Sequence, residues 1–197
     1  MALALEPAAA QRIQGMGTPD DDLNFATGHL RKSRMAFVAA INGLSDAQWN
    51  YKPGPGKWSI AECAEHIAVA EQELLQLVRR TSVTPLDPAM VLPGKGFDQE
   101  VIKIYLNRDV KAQAPETLKP SNRYKDATAL RQDFWQNRTD TIRFAETSNA
   151  NLREHGEMHS MLKRPLDGVQ WLLVISAHTE RHTAQIEEVK ASAGYPK

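Results

Sequence analysis

The stretch His178-Thr179-Glu180-Arg181-His182 places two imidazoles four residues apart, inside a run, 167–193, that has no Pro and no Gly after Gly168. Apolar residues in that run recur at Trp171, Ile175, Ile186 and Val189, the spacing of one helical face. Carried through the gap, the stripe lands on His178 and His182, one turn apart and facing the protein interior. A buried imidazole needs partners for its ring nitrogens, and two of them at i and i+4 can reach one metal ion. The pair alone is only suggestive, because six His in 197 residues give about 0.2 such pairs by chance. Two satisfied core or interface histidines are the competing reading. The metalloprotease pattern does not fit, since Thr179 rather than Glu follows the first His. Glu180, about 200° around the helix from His178, faces away from such an ion.

The elements that must hold the pair follow from the punctuation of the chain. A first helix is expected over 21–42, opened by Pro19 and Asp20 to Asp22 and stopped by Gly43. A short helical turn over 44–49 and the loop Pro53-Gly54-Pro55-Gly56 come next. Ser59 and Glu62 form a capping box for a second helix over 60–80. Its stripe is Ile60, Cys63, Ile67, Ala70, Leu74, Leu77 and Val78, and His66 falls within it. Taken alone, His66 reads as a core histidine. Cys63 reads as a small buried hydrophobe, with a thiolate ligand as the lesser alternative. Over 81–126 five prolines and two glycines break the pattern, leaving one short helix over 97–106. A connection of that length is often a lid or a wall. A third helix is expected over 127–146, then a loop over 148–165 that carries His155 and His159. Asp167 and Gln170 cap a fourth helix ending near Gly194.

Four periodic stretches without strand-like alternation or internal repeat predict an all-α four-helix bundle with a long irregular connection between the second and third helices. The domain is expected over 19–194, with 1–18 as a poorly ordered extension. Its first ten residues are apolar and Ala-rich without a basic region, which argues against an intact signal peptide. A trimmed signal remnant and an expression-derived segment both remain open. Charge is balanced at 24 basic and 24 acidic residues, so neither nucleic acid nor an anionic membrane is an expected partner. No apolar run approaches a membrane span. The single Cys forbids an internal disulfide, and a cytoplasmic protein is expected.

A bundle gathers side chains from facing helices into one central site. His66 on the second helix then joins His178 and His182 as a three-histidine metal site. Three neutral imidazoles plus water leave an open position, as in catalytic sites. The bound water or a bound thiol is then the reactive group, and no protein base is assigned. Nitrogen ligands suit a divalent metal, with Zn or Ni leading and Co, Cu or Fe also compatible. His155 and His159 repeat the spacing but lack an apolar stripe, and are read as surface or pocket-rim residues. His29 is read as a solvated or packing histidine, and Glu62 and Glu65 as a cap and a solvated residue. Trp49, Tyr51 and Trp58, with His159, are the candidate lining of a substrate pocket, although core packing also explains the three aromatics.

Two stretches resemble a known family. One is Trp58-Ser59 running through Glu62 to His66-Ile67; the other is His178 running through His182 to Gln185-Ile186. Together they resemble the DinB/YfiT-like metalloenzyme superfamily over about residues 20–193. The resemblance implies His66, His178 and His182 as metal ligands, and often a homodimer. It also implies chemistry of the kind its characterised members perform: metal-dependent transfer of low-molecular-weight thiols, and a thiol-dependent maleylpyruvate isomerisation. The expected function is therefore a metal-dependent enzyme acting on a small molecule, a thiol transferase or a hydrolase. A metal-binding stress-response protein without turnover is the alternative.

Overall fold

A computed structural model describes residues 19–109, 113–124 and 126–197. The expected extension over 1–18 lies outside the described residues. The chain forms α1 (Pro19–Ile41), α2 (Asp46–Asn50), α3 (Ile60–Thr81), α4 (Asp98–Leu106), α5 (Ala127–Thr147) and α6 (Gly168–Lys190). A two-stranded antiparallel hairpin, β1 (Gly156–His159) and β2 (Arg164–Asp167), precedes α6, with Gly156 opposite Asp167 and His159 opposite Arg164.

The four long helices make an all-α bundle. α1 packs on α5 and α6, and α3 packs on the same two, so α1 and α3 occupy opposite corners. Helices consecutive in sequence are therefore diagonal at two of the three long connections. α6 also carries α4 against its outer side. Covered this way, its first ten residues, 168–177, are all buried, with no polar face between them.

Local chemistry sets the ends of the two site helices. The Ser59 hydroxyl accepts from the Glu62 N–H and the Glu62 carboxylate accepts from the Ser59 N–H, at 3.2 and 2.8 Å. Asp167 and Gln170 do the same for α6 at 2.8 and 3.1 Å. Both are the capping boxes expected from sequence. α6 ends at Lys190, four residues before Gly194, with the Ala191 N–H closing the last turn on the Glu187 carbonyl at 3.0 Å.

The hairpin overturns the expectation of a loop over 148–165. Its strands are four residues each and one contains Pro165, too short for an alternating pattern to register. Packing specifies it instead. A Cβ on Gly156 would lie 2.2 Å from a Leu92 methyl and 2.8 Å from the Leu166 carbonyl oxygen, so only glycine fits this close approach.

The bundle interior is two apolar clusters with a polar knot joining all four long helices. Arg138 on α5 is fully buried. It donates from Nε and Nη2 to the two Glu71 oxygens on α3 at 2.8 and 2.6 Å. It also donates to the Leu30 carbonyl and Ser33 hydroxyl on α1, and to the Thr179 hydroxyl on α6, at 2.8, 2.7 and 2.8 Å. Thr141 adds a 2.6 Å bond to Glu71. All five N–H groups of the guanidinium are thus used, the condition under which a buried ion pair is tolerated. Among the described residues, no helix is long and apolar enough to cross a membrane.

Candidate metal centre

The seam between α3 and α6 brings together the three histidines expected to share one ion. Their ring nitrogens lie within 4.8 Å of one another. The ring centroids are 4.8 Å apart for His66 and His178, 4.4 Å for His66 and His182, and 4.6 Å for His178 and His182. The α6 pair sits at the edge of the buried face rather than on its centre. Thr179 and Thr183 take the central positions, 1% and 9% exposed, each bonding its hydroxyl to the carbonyl one turn back. His178 and His182 therefore keep partial contact with solvent, while His66 is buried.

Hydrogen bonds fix which nitrogens face the centre. His66 Nδ1 lies 2.8 Å from the Leu118 carbonyl, and His182 Nδ1 lies 2.9 Å from the Gln185 side-chain oxygen. Both partners only accept, so both Nδ1 atoms donate and both Nε2 atoms keep their lone pairs. This is how a ligand histidine is oriented from behind. His66 Nε2 and His178 Nε2 are 3.0 Å apart. That distance suits either an N–H···N hydrogen bond or two ligands of one ion, because nitrogens about 2.0–2.1 Å from a tetrahedral or octahedral metal are about 2.9–3.4 Å apart. The donor set and its spacing thus fit a divalent metal.

Burial keeps these rings neutral. Desolvation lowers the pKa of His66. It holds His178 well below its ordinary value, helped by repulsion from His182 and His66. His182 is lowered to about 3, by desolvation first and then by the repulsion a proton on His66 would exert. Neutral imidazole is the form that binds metal. Cys63, one turn before His66, is not in the cluster; burial pushes its thiol up to about 12, far from the thiolate a ligand would need.

The walls come from three other elements. The Trp58 ring lies 5.0 Å from His66 and 6.2 Å from His182. The Tyr105 ring on α4 stands 6.4 Å from His178. The segment 116–124 passes over α3 and supplies the Leu118 carbonyl. Glu65 anchors that segment: its carboxylate accepts from the Ser121 N–H at 2.7 Å and the Arg123 N–H at 3.2 Å. Glu65 is 4% exposed, which corrects its reading as a solvated residue. The signal for it in sequence was only its place beside His66.

The remaining candidates separate. Trp49 is buried and lines a different cavity with Asp46, Glu65 and Tyr124. Tyr51 donates to the Ala193 carbonyl at 2.7 Å and packs on Tyr195. His159, expected at the surface or a pocket rim, is buried on β1, stacked on Trp171 and bonded to Tyr105 at 2.6 Å. Only its hairpin explains this, and the hairpin was invisible to periodicity. His155 bonds the Thr84 carbonyl. Half-buried His29 faces Glu180 at 4.0 Å, and Glu180 points away from the cluster towards α1, as its helical angle requires.

Comparison with known proteins agrees with this architecture. The chain is 25% identical over 164 residues to the uncharacterized protein YuaE of Bacillus subtilis (strain 168), covering 81% of this chain and 93% of YuaE. Its fold is similar to that of YfiT from Bacillus subtilis, with a TM-score of 0.61 and 12% identity over 90% of each chain. YfiT is described as a probable metal-dependent hydrolase with an unusual four-helix bundle topology. The family model of the DinB superfamily matches residues 29–186. That match spans α1 to α6 and takes in all three clustered histidines; the chain belongs to the DinB superfamily.

Proposed function

We propose that His66, His178 and His182 hold one divalent metal and that the protein is a metal-dependent hydrolase of a small molecule. The observation that carries this is the convergence of three neutral imidazoles, two of them oriented from behind by Leu118 and Gln185. The description of YfiT as a probable metal-dependent hydrolase supports it. An ion held there supplies Lewis acidity and a lowered pKa for a bound water or thiol. The chain's own part is to keep the three rings unprotonated, to orient two of them, His66 and His182, from behind, and to narrow the approach with Trp58 and Tyr105. Neutral ligands leave the divalent charge uncancelled, which favours an anionic fourth ligand. That observation also supports the second reading, transfer of a small thiol bound as thiolate.

Metal content of single alanine variants tests the centre. His66→Ala, His178→Ala and His182→Ala are expected to lose the metal, while His155→Ala and His159→Ala retain it. Loss in the latter two with retention in His66→Ala overturns the assignment. Adding small thiols to the Co(II) protein separates the two reactions: a thiolate-to-metal charge-transfer band supports thiol transfer, and an unchanged spectrum at millimolar thiol leaves hydrolysis.

A further inference from the structure

A second set of polar groups lies beside His178, and the proposed centre leaves their hydrogen-bonding atoms unused. Tyr105 Oη and His159 Nε2 are 2.6 Å apart, and the Leu162 backbone N–H donates to His159 Nδ1 at 3.2 Å. A neutral imidazole carries one proton, and an imidazolium would aim a second at the Leu162 N–H. With Nδ1 accepting, the proton sits on Nε2 and is donated to Tyr105 Oη. The phenol is the acceptor in that bond, so its own proton is directed elsewhere. Among the described residues no acceptor takes it.

Trp171 repeats the situation. His159 stacks on it at 4.9 Å with 15° between the planes, and its buried indole N–H has no partner among the described residues. Buried donors are rarely left unpaired, because the desolvation cost is then unmet. Two neutral donors without protein acceptors thus flank one imidazole. The Tyr105 ring meets His178 edge-on, which places the phenol on the wall of the histidine cluster, while Trp171 is linked to it through the ring of His159.

We infer that Tyr105 and Trp171 form a donor subsite for an acceptor oxygen, and that the small molecule taken by the centre carries a carboxylate or carbonyl group. Tyr105 is the group that touches this oxygen. His159 is a positioning residue that accepts from Leu162 and so turns the phenol proton outward. The nearest cation is Arg181, which donates to the Tyr105 backbone carbonyl at 3.1 Å and acts electrostatically on the phenol, so the subsite suits an oxygen that carries negative charge. The inference rests on the metal-centre reading.

Long-range proton–nitrogen NMR spectra of the imidazole rings test the dyad without any turnover. His159 is expected as the Nε2–H tautomer, and an Nδ1–H tautomer overturns the inference. Acetate, titrated against the Co(II)-loaded protein, tests the subsite. Tyr105→Phe is expected to take up Co(II) normally and to bind acetate at least about tenfold more weakly, the worth of one hydrogen bond to a charged acceptor. Trp171→Phe is expected to weaken acetate in the same direction. Acetate affinity unchanged in both variants, or no acetate binding by the wild type, means that the donors serve only water and sinks the subsite alone. A wild-type protein that takes up no Co(II) sinks the metal-centre reading, and the subsite with it.

Discussion

Replacing Arg138 by Met removes the centre of the polar knot while keeping most of the side chain's length and volume. Glu71, 2% exposed, keeps a single donor in Thr141 and loses both bonds that neutralised it. The Leu30 carbonyl and the Ser33 and Thr179 hydroxyls lose a donor each. Breaking a buried ion pair from one side costs about 3–5 kcal/mol, against a total stability of about 5–15 kcal/mol for a domain. Arg138→Met should therefore lower the urea midpoint severely, as followed by helical circular dichroism. Glu71→Met should do the same, because it strands the guanidinium. The double variant removes both charges, and about 1 kcal/mol or less of the loss should remain. Single variants costing under about 1 kcal/mol, or a double variant as unstable as the two losses summed, would refute the claim that the pair is buried and mutually dependent.

Glu65→Gln exchanges one of the two carboxylate oxygens that hold 121–123 for an amide donor, so the Leu118 carbonyl behind His66 loosens; metal affinity should fall by about ten- to a hundredfold, and an unchanged affinity in a chelator competition argues against this anchoring role. Cys63, with its thiol pushed up to about 12, should resist alkylation in the folded protein and react at once in urea; fast labelling of the native state contradicts its burial. In chelator, the stability of the protein should fall as pH drops below 6.5. His182 is lowered from 6.5 to about 3 on folding, so in that window the unfolded chain binds a proton that the folded one does not. By pH 5 this single group removes about 2 kcal/mol, and His66 and His178 act with the same sign. Chemical denaturation that gives the same stability at pH 7 and pH 5 rules out the neutral, buried cluster.

What could be read from the sequence was what local chemistry determines. The capping boxes at Ser59 and Asp167 act over three residues, and the stripes of α3 and α6 repeat every turn, so both site helices were legible. The hairpin was not, because four-residue strands carry no period and Gly156 is required only by Leu92 and Leu166. Glu65 escaped for a similar reason. It lies about 100° from His66 on α3, off the apolar stripe, and is buried only because 116–124 folds over it. The Glu71–Arg138 pair joins residues 67 positions apart, and nothing near either one announces the other. Threonines at 179 and 183 also masked the centre of the α6 core face, so the stripe seemed to run through the histidines instead of beside them.

The knot and the histidine cluster are neighbours on the same two helices, and this adjacency has a physical consequence. Glu71 lies five residues after His66 on α3, and Thr179 follows His178 on α6. Arg138 ties those two points together, with bonds of 2.6–2.8 Å to Glu71 and Thr179. A slide of α3 along α6 by one residue, a rise of about 1.5 Å, would break these bonds and leave a buried charge unmatched. Apolar packing alone penalises such a slide less, since one methyl group can replace another. The polar layer therefore selects the register in which His66 faces His178 and His182. In the proposed centre, three imidazoles held at fixed separation before an ion arrives would need little reorganisation to bind it, which is the condition for an open yet tight metal site.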